Sequence, residues 1–194
     1  MKELDIINMA LIRIGQPMLT TSDYTGETSP APEARLFFPQ AVETVLRRYP
    51  WAFALRSSKL NPIKGEDNTY KSTLPDGWAN ITKAYSHGFS VEDFNISEGR
   101  IICDAPVDKI EGTIYPEDFD LCDPLFVDCV SLRLASYLAG AICQSPDMAA
   151  NLMQEYNQLA FPQATTADAK DSRERGNSRI ISDISHSILL RSRR

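Results

Sequence analysis

The stretch from Phe126 to Ile142 constrains the fold more than any other part of the chain. Phe126, Cys129, Val130, Leu134, Tyr137, Leu138, Ala141 and Ile142 recur at helical spacing over about five turns. The helix they predict, 124–143, is apolar on most of its sides, and such a helix persists in water only when other elements cover it. Its start is signalled by Asp123-Pro124, an acceptor for the first free N–H groups followed by a residue tolerated in the first turn. The core must therefore be built round this segment.

Three further helices carry single apolar stripes that can cover it. Leu4, Ile7, Leu11 and Ile14 share one face of a helix over 3–14, ended by Gly15 and Pro17. Leu36, Phe37, Ala41, Val42, Val45 and Leu46 mark a helix over 33–48, in which Pro39 predicts a kink or two shorter helices. Ser145-Pro146-Asp147 starts a helix over 147–161 with Met148, Leu152, Tyr156 and Leu159 on its buried face. Between the first two, Met18 to Pro32 has the Thr/Ser/Gly/Pro composition of a surface loop. Tyr49, Trp51 and Phe53 follow the second helix and read as large groups closing one end of the core.

The middle of the chain changes period. Short β-rich runs at 79–85, 89–94, 100–103 and 109–115 are separated by His87-Gly88, Ser97-Glu98-Gly99 and Asp104-Ala105-Pro106, spacings suited to an antiparallel meander. The expected fold class is α+β, mainly α: a bundle of about four helices with a small antiparallel β-insertion over about 69–115. With 194 residues, 43 % of them apolar and 24 % charged, the chain has enough material for such a core without a disulfide or metal staple.

Charge divides the chain in two. Residues 1–163 hold 13 basic and 22 acidic side chains, and residues 164–194 hold 7 basic and 4 acidic, so an acidic body, 1–163, carries a basic C-terminal arm, 164–194. The overall net charge of −6 argues against a general nucleic-acid coat, which needs clustered cations to displace counterions. The stretch 163–178 offers only alanines as apolar side chains, with nothing to fill a core. Beyond it, Arg179, Ile180, Ile181, Ile184, Ile188, Leu189, Leu190, Arg191, Arg193 and Arg194 combine cations with large apolar groups. A merely solubilising tail has no use for those apolar groups, so the arm reads as a docking segment that orders on a partner.

Chemistry is sparsely represented. Cys103, Cys122, Cys129 and Cys143 form no C-x-x-C pair and have only His87 and His186 for company, so reduced, structural thiols are expected and no metal site. There is no G-x-S-x-G nucleophile and no phosphate-cradling glycine loop, and no cofactor is expected. The remaining reactive option is a pair of loop carboxylates, Glu92 with Asp93 or two of Glu117, Asp118, Asp120 and Asp123, acting as a carbohydrate hydrolase on the bacterial envelope. Adjacent acids in loops are ordinarily just solvated, so no catalytic residue is assigned. The opening MKELDIINMALIRIGQP holds no apolar signal core and no run approaches about 18 apolar residues, which predicts a protein that is cytosolic when made and has no membrane partner.

The motifs occur in an order that carries a resemblance. Ala10-Leu11-Ile12-Arg13-Ile14-Gly15-Gln16-Pro17 precedes Tyr49-Pro50-Trp51-Ala52-Phe53-Ala54, followed by Leu74-Pro75-Asp76-Gly77-Trp78, Gly99-Arg100-Ile101-Ile102-Cys103, Tyr115 and Asp123-Pro124-Leu125-Phe126. Over residues 4–170 this series resembles the tail tubular protein A, or head-to-tail adaptor (connector), family of short-tailed bacteriophages. The resemblance implies a helical bundle with an inserted β-region that assembles as a twelve-membered ring. That ring would join the portal protein of a DNA-filled capsid to a tail nozzle protein of the tail tubular protein B kind. It also implies a place in the virion tail, assembly in the host cytoplasm, and a C-terminal segment reaching onto the portal. DNA would pass through the ring without specific binding, and an acidic channel wall would limit sticking of its phosphates.

Overall fold

The structure is a computed structural model that describes residues 2–65 and 69–172. Three helices come first: α1 (Glu3–Arg13), the single turn α2 (Thr21–Tyr24) and α3 (Ala31–Arg48). Eight strands follow: β1 (Leu55–Lys59), β2 (Ile63–Lys64), β3 (Tyr70–Thr73), β4 (Trp78–Ser86), β5 (Phe89–Val91), β6 (Asn95–Ser97), β7 (Arg100–Cys103) and β8 (Lys109–Ile114). A 3-10 turn at Phe119–Leu121 then leads to α4 (Pro124–Ala141) and α5 (Pro146–Glu155). Helix α5 runs on through a π turn at Tyr156–Ala160 into α-helix over 161–172.

Helix α4 is the axis of the helical layer. Asp123 Oδ1 accepts from the Leu125 N–H at 2.7 Å to start it, and its buried residues include Phe126, Val130, Leu134 and Leu138. Helices α1, α3 and α5 pack round it, joined by Arg13 of α1, which reaches Asp128 of α4 and lies 3.7 Å from Glu155 of α5. Gly15 adopts φ +74° just past α1, where the Gln16 N–H returns to the Leu11 carbonyl at 2.9 Å, a left-handed helix stop of the kind that glycine favours. Within the loop expected at 18–32, α2 is an extra helical turn. Its Thr20 side chain accepts from the Asp23 N–H, and Asp23 reaches back to the Thr20 N–H.

The two helix-interior prolines are accommodated differently. Helix α3 is continuous through Pro39, which lies on its exposed face, so the carbonyl deprived of its donor can be solvated. Pro162 directly follows the π turn, where the Phe161 N–H bonds to the Tyr156 carbonyl one residue beyond the α spacing. The wider turn makes room for the proline ring and lets the helix continue.

The strands correct the expected fold class. About 48 % of the described residues are helical and 21 % are in strands, and the strands form two four-stranded antiparallel sheets, β1-β8-β4-β5 and β2-β3-β7-β6. This is an α+β fold with five helices, and not a mainly-α four-helix bundle with a small insertion. Nor do the strands form a meander. The β4–β5 hairpin belongs to the first sheet and the β6–β7 hairpin to the second, while β8 returns to lie between β1 and β4. The strand region begins at Leu55 rather than near 69 because β1, the edge strand, is exposed along most of its length and shows no burial period.

Both hairpins turn on two residues of positive φ, His87 (+51°) with Gly88 (+86°) and Glu98 (+51°) with Gly99 (+68°). These are the primed turns whose twist matches that of the strands they join. The sheets enclose a small core of their own, with Ala84 and Ile110 from one and Ile101 and Cys103 from the other. In the first sheet β4 is bulged, with register shifts between Trp78 and Asn80 and between Ile81 and Lys83. Gly112 of β8 is required there, because a Cβ would stand 2.1 Å from the Asn80 carbonyl oxygen and 2.8 Å from Ile81 Cα.

Helices and sheets meet at residues 49–54. Trp51 is fully buried, donates from Nε1 to the Val45 carbonyl at 3.0 Å, and meets Tyr49, Phe126 and Phe161 edge to face. The core role expected of this aromatic group is what the structure shows for Trp51. Ala54 then accepts from the Ile114 N–H at 3.0 Å, tying the joint to β8.

Candidate functional site

The arm residues Arg179, Ile180, Ile181, Ile184, Ile188, Leu189, Leu190, Arg191, Arg193 and Arg194 lie outside the described residues. The root of the arm is described. The boundary expected at 163 falls inside a helix, and part of the segment that follows belongs to the folded body. Ala164 is in the helical core, against the expectation that nothing past 163 contributes to it. Asp168 is buried, and its two carboxylate oxygens lie 3.2 Å from the Ala52 N–H. The Arg48 guanidinium lies 4.2 Å from the centre of the Phe161 ring and bonds to Asn157 at 2.7 Å.

The loop carboxylates separate into two places. Asp118 accepts from the Asp120 N–H at 2.8 Å and Asp123 from the Leu125 N–H, so two of the four in 117–123 cap helical turns. Glu92 and Asp93 border a hollow of about 340 Å³ on the second sheet together with Asp104. The first place engages carboxylates with backbone N–H groups, whereas the second gathers three carboxylates at one hollow.

Burial acts on several of the remaining ionisable groups. Burial pushes the thiols of Cys122 and Cys129 up to about 12, and the phenol of Tyr115 likewise to about 12. All four cysteines are free thiols. Among the described residues no group of three or more His, Cys, Asp or Glu side chains could hold a metal ion, and no helix is long and apolar enough to cross a membrane. His87 occupies a hairpin turn, its N–H given to Asp108 Oδ2 at 2.9 Å.

What the surface does offer is apolar side chains held on rigid elements. Leu36 on α3, Phe89 at the β4–β5 turn, Ile96 on β6, Leu121 in the 3-10 turn and Leu159 in the π turn are all well exposed. The outer face of the first sheet also carries a groove of about 370 Å³ between Pro50, Leu55, Ser57, Thr82 and Lys83, with Glu111 in its lining. Glu111 is matched within that face: it accepts from Lys109 Nζ at 2.6 Å and from the Tyr85 hydroxyl at 3.0 Å. The hydrogen bond from Lys109, foremost, holds its carboxyl below the ordinary value, and that from Tyr85 adds to the effect. Residue pattern alone did not reveal this groove, because it is assembled from β1, β4 and β8, and β1 carries no periodic signal. Compared with known proteins, the chain matches no family model and no curated relative.

Proposed function

We propose that this protein is a structural head-to-tail adaptor of a bacteriophage virion, a ring component between portal and tail nozzle, and not an enzyme. The observation that carries the reading is the order of sequence motifs from 10–17 to 123–126, which resembles that of the head-to-tail adaptors. The exposed large apolar side chains of the body stand on separate elements, on α3, both hairpins, the 3-10 turn and the π turn.

The motif order supports this identity for the assembly. In the structure those motifs fall at joints: 10–17 where α1 stops, 49–54 where helices meet sheets, 99–103 at the β6–β7 turn and its strand, and 123–126 at the cap of α4. The basic arm would dock on an acidic portal surface, and the acidic body would line a channel that DNA traverses without adhering. Ordering the arm costs conformational entropy that a partner surface can repay.

The test is electron microscopy and cosedimentation of the purified protein mixed with its virion's portal rings. Rings of this chain seated on the portal, lost on deletion of residues 177–194, are the expected result. Unchanged binding by the truncated chain would remove the arm from the mechanism, and no binding by the full chain would remove the adaptor reading.

A further inference from the structure

Two surfaces of the body differ in charge, one a turn rich in carboxylates and the other a groove with cations on its rim. The first is the turn between β8 and α4. Leu121 stands 76 % exposed at its tip, held in a 3-10 turn that the caps of Asp118 and Asp123 make rigid. Glu117, Asp118, Asp120 and Asp123 flank it, and residues 117–123 contain no cation. The second is the groove on the outer face of the first sheet. Its apolar wall is Pro50 and Leu55, and its rim carries Lys83, which forms no salt bridge among the described residues, and Arg56, whose guanidinium donates to the Phe53 and Leu55 carbonyls at 2.9 and 2.8 Å. Its one acid, Glu111, is already paired with Lys109.

We propose that the Leu121 turn of one copy of this chain docks in the Pro50–Leu55–Lys83 groove of another. A leucine side chain fits easily within about 370 Å³, and the flanking carboxylates then face Arg56 and Lys83. Strand alternation places the two surfaces on opposite sides of β1. Leu55 and Ser57 face the groove, whereas Ala54 and Arg56 border the hollow beneath the Leu121 turn, with Arg56 at the margin of both. Knob and socket are thus adjacent surfaces that share Arg56, and the contact joins the turn of one copy to the groove of the next. It rests on the adaptor reading only in supplying the copy-to-copy contact that a ring needs. The patch is small, so free copies associate weakly, and a portal that holds neighbours side by side strengthens the contact through effective concentration.

Full-length Leu121→Cys and Ser57→Cys chains, mixed in equal amounts and mildly oxidised, test the contact, with the parent chain as background for the native thiols. A disulfide-linked dimer whose linked peptides contain positions 121 and 57 is expected. Lys83→Glu in the Ser57→Cys chain lowers its yield by about fivefold or more, and Glu117→Lys in the Leu121→Cys chain restores it. A yield no higher than that of a Leu121→Cys and Phe89→Cys control pair would overturn the proposal, as would an unchanged yield with Lys83→Glu. Portal cosedimentation is read separately. Trapping without portal binding sinks only the adaptor reading, and portal binding without trapping sinks only this contact.

Discussion

Among the described residues, the helical layer is held by twenty-nine buried apolar side chains in one cluster and the two sheets by six in another. The first region rests on burial, with Trp51, Phe126 and Tyr156 among its largest members. The second rests more on backbone pairing, on two primed turns and on the one close approach permitted at Gly112. The same chain thus uses two means of holding shape. A large core tolerates exposed polar faces on its helices, whereas a sheet pair with a small core depends on each register being right.

Three changes probe this contrast. The largest effect is expected at the joint, where Trp51→Ala removes the most voluminous buried side chain and its bond to the Val45 carbonyl. A loss of about 4 kcal/mol in denaturant unfolding is expected, and a loss under about 1 kcal/mol would mean that the joint does not anchor the helical core. Next, Gly112→Ala forces a Cβ against the Asn80 carbonyl and should cost about 3 kcal/mol. Hydrogen exchange should show β4 and β8 amides losing protection while α4 amides keep theirs; equal loss in both would make the molecule one cooperative unit and dissolve the contrast.

The smallest change is electrostatic. The Glu111 carboxyl is held below its ordinary value of 4.5, chiefly by the Lys109 hydrogen bond. A depressed carboxyl contributes stability that is present above its unfolded value and is lost as pH falls through the folded one. Glu111→Gln should therefore slightly lower stability at neutral pH and flatten the decline seen on acidification below that value. The effect is small because the pair is partly exposed. An unchanged acid limb of the pH–stability curve would show that this pair does not help hold the sheet.

The difference between the regions also explains what could be read from residues alone. The helices expected at 3–14, 33–48 and 124–143 match α1, α3 and α4 to within two residues at each end, because one-sided or all-round burial leaves a strong period. The X-Gly pairs at 87–88 and 98–99 marked their turns because left-handed backbone has a distinctive chemistry. By contrast, Leu55–Lys59 faces water along most of its length and pairs with Thr113–Lys109 far along the chain, so neither period nor proximity signals it. The helix resumes past Pro162, as the alanines and charged side chains of 164–170 favour, but it does so through a π turn that no residue type announces. The docking residues expected at 179–194 lie outside the described residues, and the groove and knob on the body exist only once β1, β4 and β8 are side by side.

The helix over 161–172 has a mechanical consequence. Its attachments, Ala164 in the core, Asp168 on the Ala52 N–H and Phe161 against Trp51, are spaced along one helical face. Tension applied to the chain past residue 172 would load these attachments, and through Trp51 and Ala54 it would reach both α3 and β8. A pull past residue 172 is thus borne by the joint of the whole body rather than by a peeling loop.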